Sequence, residues 1–382
     1  METASHPTRE KKSWFAKAFN TAVLEKSRMA WVDYLRGIAI ILVVYRHTFV
    51  GIERSNIAVP TILQNANLMF YSFRMPLFFI LSGVFVNASI GRKPFGKLVY
   101  SKFELLIYPY FIWATIQITL QILLSKYTNA DRTSHDYLAI FYQPQALDQF
   151  WYLPALFNCT IVYLILKAKL HVPAWAQVII GIGLNMLGPR LKDISMIADW
   201  MNFYIYFALG DLCSKLFFRE GSQRFFKSPY TLLAVTPVFI VTELWYLHDL
   251  PEHNFEYLAI AVIGCFCMIV LAFRLQSWNV LRWLRVVGFH SLFIYVIHVL
   301  VTSFTRMTLT KVLGIHNPEI LLACGIFFGV TIPIIFYNLL VKDNILWFLF
   351  TPRKPVKKMP APPPVATASE KDGGLVVSSD NA

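Results

Sequence analysis

The chain has 382 residues, of which 56% are hydrophobic and only 15% charged, with a mean hydropathy of +0.51. An ordinary soluble domain carries roughly a quarter of its residues as charged groups and could not hide this much apolar surface, so a soluble fold is excluded. The formal charge of +13 raises the possibility of a nucleic-acid partner, but the 35 lysines and arginines flank apolar runs, which is the pattern of membrane orientation and argues for no nucleic acid.

Residues 1–28 lack the apolar core of a signal peptide. Trp14, Phe15, Ala18, Phe19, Ala22 and Val23 instead fall along one helical stripe between lysines, the signature of an amphipathic interfacial segment lying on the membrane. From 29 to 350 the chain reads as one transmembrane domain, all-α and polytopic, with about ten spans. These are expected near 33–51, 68–88, 103–125, 150–167, 174–189, 200–218, 230–248, 257–274, 289–310 and 320–348, most close to the ~20 residues a helix needs to cross. The fifth, with Gly181, Gly183, Gly188 and Pro189, carries the weakest signal.

A cytoplasmic amino terminus places 23 basic residues in inner segments against 6 outside, Arg54, Lys126, Arg132, Arg190, Lys192 and Lys311. Ten spans with both termini cytoplasmic satisfy the positive-inside rule. From 351 to 382 the Pro-rich run around Pro360, followed by small polar residues, cannot bury a core and reads as a disordered cytoplasmic tail. The five cysteines all lie in apolar stretches, which leaves no extramembrane disulfide framework. Asn87-Ala-Ser and Asn158-Cys-Thr match the glycosylation pattern but sit in or beside spans.

Ionisable groups are costly in a bilayer, so each is a candidate for function. The first span holds Asp33, Arg36, Arg46 and His47. Arg36 and His47 are eleven residues apart, which on a helix is about 20° past three full turns and roughly 16 Å along the axis. One face therefore carries a guanidinium near the inner surface and an imidazole deep in the outer half, with Asp33 near the same stripe. A long ligand with an anionic head at Arg36 and a reactive end at His47 would suit that face. Taken singly, Arg36 reads equally as a snorkelling anchor and His47 as a structural hydrogen-bonding group. No cluster has the ligand types and spacing of a metal site, so no metal is expected.

The run from Trp31 through Asp33 and Arg36 to His47, an arginine followed after ten residues by a histidine, closely resembles the first-helix signature of membrane-bound acyltransferase family 3. Phe73-Arg74-Met-Pro-Leu-Phe-Phe-Ile-Leu-Ser82-Gly83 resembles the family's second helix. Weaker matches follow in the right order at 102–113, at Phe150-Trp151-Tyr152-Leu153-Pro154 and at Ser291 to His298. The wording of the first two motifs is nearest the fucose O-acetylase-like group. The resemblance implies an O-acyltransferase of the bacterial inner membrane. Its donor would be cytoplasmic acyl-CoA, with acetyl-CoA expected, and its acceptor a hydroxyl of an envelope glycan or lipid-linked sugar.

On that resemblance His47 is catalytic and Arg36 binds the donor, with Lys102 assisting at the phosphates. Arg74, Trp151 and His298 are expected to line the site or meet the acceptor, and Asp33 and Ser82 to support it. Trp151 also reads as an interfacial anchor, and Ser82-Gly83 as a close-packing pair. A transporter or flippase is the alternative from another class, since buried Arg and His also mark transport pathways, and a succinyl-type transferase is the alternative within this one.

Overall fold

The computed structural model describes residues 13–25, 29–90, 92, 94–125, 132–248, 254–342 and 344–354. Among these there is no strand, and each predicted span coincides with a helix. In chain order these are α1 (Ala30–Glu53), α2 (Thr61–Ser89), α3 (Phe95–Leu123), α4 (Pro144–Ala168), α5 (Ala174–Leu187), α6 (Ser195–Leu212), α7 (Pro229–His248), α8 (Phe255–Trp278), α9 (Ser291–Val312) and α10 (Pro318–Val341). Eight of the ten are long and apolar enough to cross a membrane. The exceptions are α5 and α6: α5 has 14 residues, about 21 Å of helix, and α6 carries Asp199, Asn202 and Asp211.

α1 sits among several partners because glycines let other backbones reach it. A Cβ on Gly37 would lie 2.3 Å from the Leu284 carbonyl oxygen, and one on Gly288 would lie 1.8 Å from that of Asp33, so helix Trp283–Phe289 rests directly on the first turns of α1. Farther along, Gly325 of α10 packs on Thr48, and Gly329 on Thr302 and Val44. α2 and α6 meet in the same way, Gly83 against the Phe207 carbonyl and Gly210 against that of Ile80. Without a hydrophobic force between helices in lipid, such close backbone approach supplies the packing.

Polar groups are placed where they complete the backbone. Pro76 inside α2 has no N–H to give the Ser72 carbonyl, and the Tyr257 hydroxyl of α8 donates to that carbonyl at 3.2 Å. Ser72 Oγ in turn donates to the buried Glu243 of α7 at 2.7 Å, a helix with only 22% of its apolar window buried, against 61% for α2, α4 and α8. Asp211 of α6 is held by the Tyr163 hydroxyl, the Asn87 amide and the Lys167 ammonium, tying α6 to α2 and α4. This bond, and that of Asn158 to the Met196 carbonyl at 3.2 Å, give both Asn-x-Ser/Thr matches packing roles.

The amino-terminal stripe divides between two surroundings. A helix forms over Trp14–Phe19 and stops at Asn20, whose φ of 51° is left-handed. Trp14 and Phe15 are exposed, but Ala18 and Val23 are buried, and Asn338 of α10 donates to the Ala18 carbonyl at 3.0 Å. The segment is thus docked on the bundle with its two large rings outward. Residues 1–12 and the tail from 355 lie outside the described residues.

Candidate functional site

A cavity of about 810 Å³ opens around the carboxyl-terminal half of α1. His47 lines it together with residues from α2, α3, α4, α6, α8, α9 and α10. The volume falls within the roughly 300–1,000 Å³ of small-molecule sites.

Behind His47 stands His298 of α9, the ring centroids 5.1 Å apart and the planes crossed at 63°. His298 is fully buried, and its Nδ1 faces the Ile294 and Tyr295 carbonyl oxygens at 3.0 and 2.8 Å. A carbonyl only accepts, so Nδ1 carries the hydrogen and Nε2 holds a lone pair in the neutral ring. No partner meets that Nε2 among the described residues. The arrangement is a partly exposed imidazole in a cavity wall, backed by a second imidazole of fixed tautomer.

The cavity is strongly cationic. Arg46, Arg54, Arg74 and Arg306 line it, against one carboxylate, Asp148. Tyr71 lies under both Arg46 and Arg74, its ring centroid 5.8 and 4.8 Å from the two guanidinium carbons. Arg74 is 4% exposed, and its Nη1 has no hydrogen-bond partner among the described residues. Arg306 reaches α1 only because position 51 is glycine, where a Cβ would stand 2.1 Å from its Nη1.

Asp148 sits in a turn with φ 58° and ψ −110°, a conformation costing a non-glycine residue on the order of 1–3 kcal/mol. It is held there by Arg54 at 3.0 Å, Arg132 at 3.6 Å and Gln117 at 3.4 Å. Arg132 also bridges to Asp136 at 3.0 Å. Partial burial alone would raise the Asp136 carboxyl, but the Thr133 N–H and Arg132 outweigh it and hold the group below the usual carboxylate range. The strained turn delivers Gln149 to Gln117 at 2.9 Å and sets Trp151 into the cavity wall, against Phe203.

At the opposite end of α1, Arg36 lies within electrostatic reach of both Lys102 and Tyr152. Ser82 adjoins Tyr152 and donates to the Phe78 carbonyl at 2.8 Å. The Tyr152 ring meets Tyr295 at 5.2 Å, Tyr295 meets His298 at 6.2 Å, and His298 meets His47. A chain of buried rings therefore links the two ends. Asp33 stands apart, buried under helix Trp283–Phe289.

The predicted residues thus fall into two groups. His47, Arg74 and Trp151 share the cavity with His298 behind them, whereas Arg36 lies near Lys102 and near Tyr152, which Ser82 adjoins, all outside the cavity lining. Tyr71, Tyr152, Tyr295 and Asp148 carry the connection and the rim; of these the sequence singles out only Tyr152, which reads with Trp151 as an interfacial anchor. The signal for Asp148 was a lone acid beside the Phe150-Trp151 motif. Arg306 and Glu243 are charges within spans, and the packing shows what they touch: Arg306 fits against Gly51, and Glu243 accepts from Ser72.

Beyond the chain itself, a family model described as an acyltransferase domain matches residues 29–338. No curated protein and no solved structure matches.

Proposed function

Since the chain belongs to membrane acyltransferase family 3 and is a multi-pass membrane acyltransferase, we propose that it moves an acetyl group from cytoplasmic acetyl-CoA to a hydroxyl of an envelope or exported glycan. Its place in this reading is the bacterial inner membrane, with the amino-terminal end of α1 facing the cytoplasm. The likeness of its first two motifs to the fucose O-acetylase-like group supports acetyl as the group carried. The observation that carries the reading is His47 in the wall of the cavity, backed by His298.

In this mechanism the acceptor hydroxyl lies in the cavity beside His47. A sugar hydroxyl is a poor nucleophile at neutral pH, and His47 takes its proton as oxygen attacks the thioester carbonyl carbon. The C–O bond forms, the C–S bond of the tetrahedral adduct breaks, and the departing thiolate takes the proton back from the imidazolium. The products are the acetyl ester and free CoA thiol. His298 is a positioning residue: its neutral Nε2 offers an acceptor to an N–H of His47. Arg36 and Lys102 hold the donor's phosphates at the other end, as planar fork and point charge. The acyl arm reaches His47 along the ring chain, with Tyr152 and Tyr295 moving aside.

Purified protein given acetyl-labelled acetyl-CoA and an envelope glycan fraction tests this. The label is expected as an ester on glycan, with one CoA thiol released per ester. Arg36→Gln should raise KM for acetyl-CoA about tenfold or more with a smaller change in kcat, since a charge-assisted hydrogen bond is worth roughly 1.5–3 kcal/mol. Label that stays thioester-bound, or crosses a vesicle membrane uncleaved, would favour a transporter and end the proposal.

A further inference from the structure

We propose that the acceptor is a lipid-linked sugar whose phosphate rests on Arg46, Arg74 and Arg306 while its hydrocarbon tail leaves the cavity sideways into the bilayer. This inference rests on the acyl-transfer reading of the same cavity and names the class of molecule that enters it.

The first ground is charge. Four arginines line the cavity, and its one lining carboxylate, Asp148, is already bonded to Arg54 and to Arg132. Among the described residues no carboxylate comes within ion-pair distance of Arg46, Arg74 or Arg306. A buried guanidinium without a counter-charge is costly, and Arg74 keeps a buried Nη1 with no acceptor. Tyr71 holds the Arg46 and Arg74 guanidiniums over one ring, Gly51 admits Arg306, and all three line one cavity. Several fixed forks suit the oxygens of a phosphate or diphosphate. A neutral glycan would leave every one of them uncompensated.

The second ground is the apolar side of the same cavity. Leu120 of α3, Leu124 just past its end, Phe304 of α9 and Ile332 of α10 line it and are also exposed, by 37%, 41%, 65% and 41%. In a membrane-spanning bundle such exposed apolar side chains beside a cavity suit contact with hydrocarbon. A ligand that satisfies both grounds carries an anion at one end of a hydrocarbon chain. The donor does not meet this description, because its phosphates are held at Arg36 and Lys102 and it has no membrane-embedded tail.

Labelled farnesyl phosphate binding to the detergent-purified full chain tests the proposal. Competitors are farnesol, inorganic pyrophosphate, dioleoyl phosphatidylglycerol and acetyl-CoA. Farnesyl phosphate is expected to bind saturably, at least tenfold tighter than farnesol or pyrophosphate. Arg46→Gln and Arg306→Gln should each weaken it tenfold or more. On the same preparations acetyl-CoA affinity should stay within twofold of wild type, which also shows that the variants are folded.

Farnesol competing as well as its phosphate would overturn the inference, because the anion would then be irrelevant. Phosphatidylglycerol displacing farnesyl phosphate at equal concentration would overturn it in favour of a site for bulk anionic lipid. An equal loss of acetyl-CoA affinity in the arginine variants would assign the cavity to the donor's phosphates. If farnesyl phosphate binds as expected to a protein that cleaves no acetyl-CoA, the anionic-lipid site stands and the acyl-transfer reading beneath it falls.

Discussion

Replacing His47 with alanine is expected to lower acyl transfer by about 10²–10⁴-fold, the range for removing a positioned general base, while the protein still inserts and purifies as wild type. The side chain faces the cavity and is partly exposed, so its loss removes little buried contact. Arg46, Arg54 and Arg74 line the same cavity, and the His298 ring meets that of His47 at 5.1 Å. His47→Gln tests the same point with a side chain that hydrogen-bonds but accepts no proton at neutral pH, and it should be nearly as inactive. Initial rates of ester formation, normalised to monodisperse protein, are the measurement. Activity within threefold of wild type in either variant would remove His47 from the mechanism.

Gly288→Leu is expected to produce the largest structural effect. A Cβ at position 288 would stand 1.8 Å from the Asp33 carbonyl oxygen and 2.9 Å from the Gly37 nitrogen, with backbone on both sides. Helix Trp283–Phe289 must then lift off α1, losing the reciprocal contact of Gly37 with the Leu284 carbonyl. Overpacking of this kind costs about 1–3 kcal/mol, and backbone-to-backbone contact places it at or above the upper end. The measurement is the apparent unfolding temperature and monodisperse yield in detergent. Gly96→Ala serves as the control, because nothing lies within 4 Å of a Cβ there. A Gly288→Leu protein as stable as that control would show that α1 is not held by this contact.

Much of the architecture was legible because the membrane enforces it. Unsatisfied backbone cannot face lipid, so apolar runs of about twenty residues become helices, and each predicted span overlaps one. The 3.6-residue period also sufficed to put Arg36 and His47 on one stripe of α1. Boundaries slipped where polar residues are buried by partners the hydropathy pattern does not reveal. The sixth helix, expected over 200–218, runs Ser195–Leu212, with Asp199 and Asp211 inside the bundle and Asp211 neutralised by Lys167.

The candidate site was legible one helix at a time. Its other components come from elements far apart in sequence: Arg306 through a gap that only Gly51 provides and Trp151 through the strained Asp148 turn. None of these contacts has a periodicity. The single amphipathic stripe read at 14–23 is interrupted in the fold, where the helix stops at the left-handed Asn20, and Ala18 and Val23 are buried while Trp14 and Phe15 are exposed.

In the proposed reaction donor and acceptor meet from opposite ends of α1, the thioester arriving past Arg36 and the hydroxyl waiting beside His47. Vesicles with the protein in one orientation, given acetyl-CoA on the face bearing the amino terminus and acceptor glycan on the other, test it most directly. Acetyl ester should accumulate on the glycan side only, and should vanish when acetyl-CoA is moved to that side. Transfer that proceeds when both substrates are confined to one face, and stops when they are separated, would contradict the account.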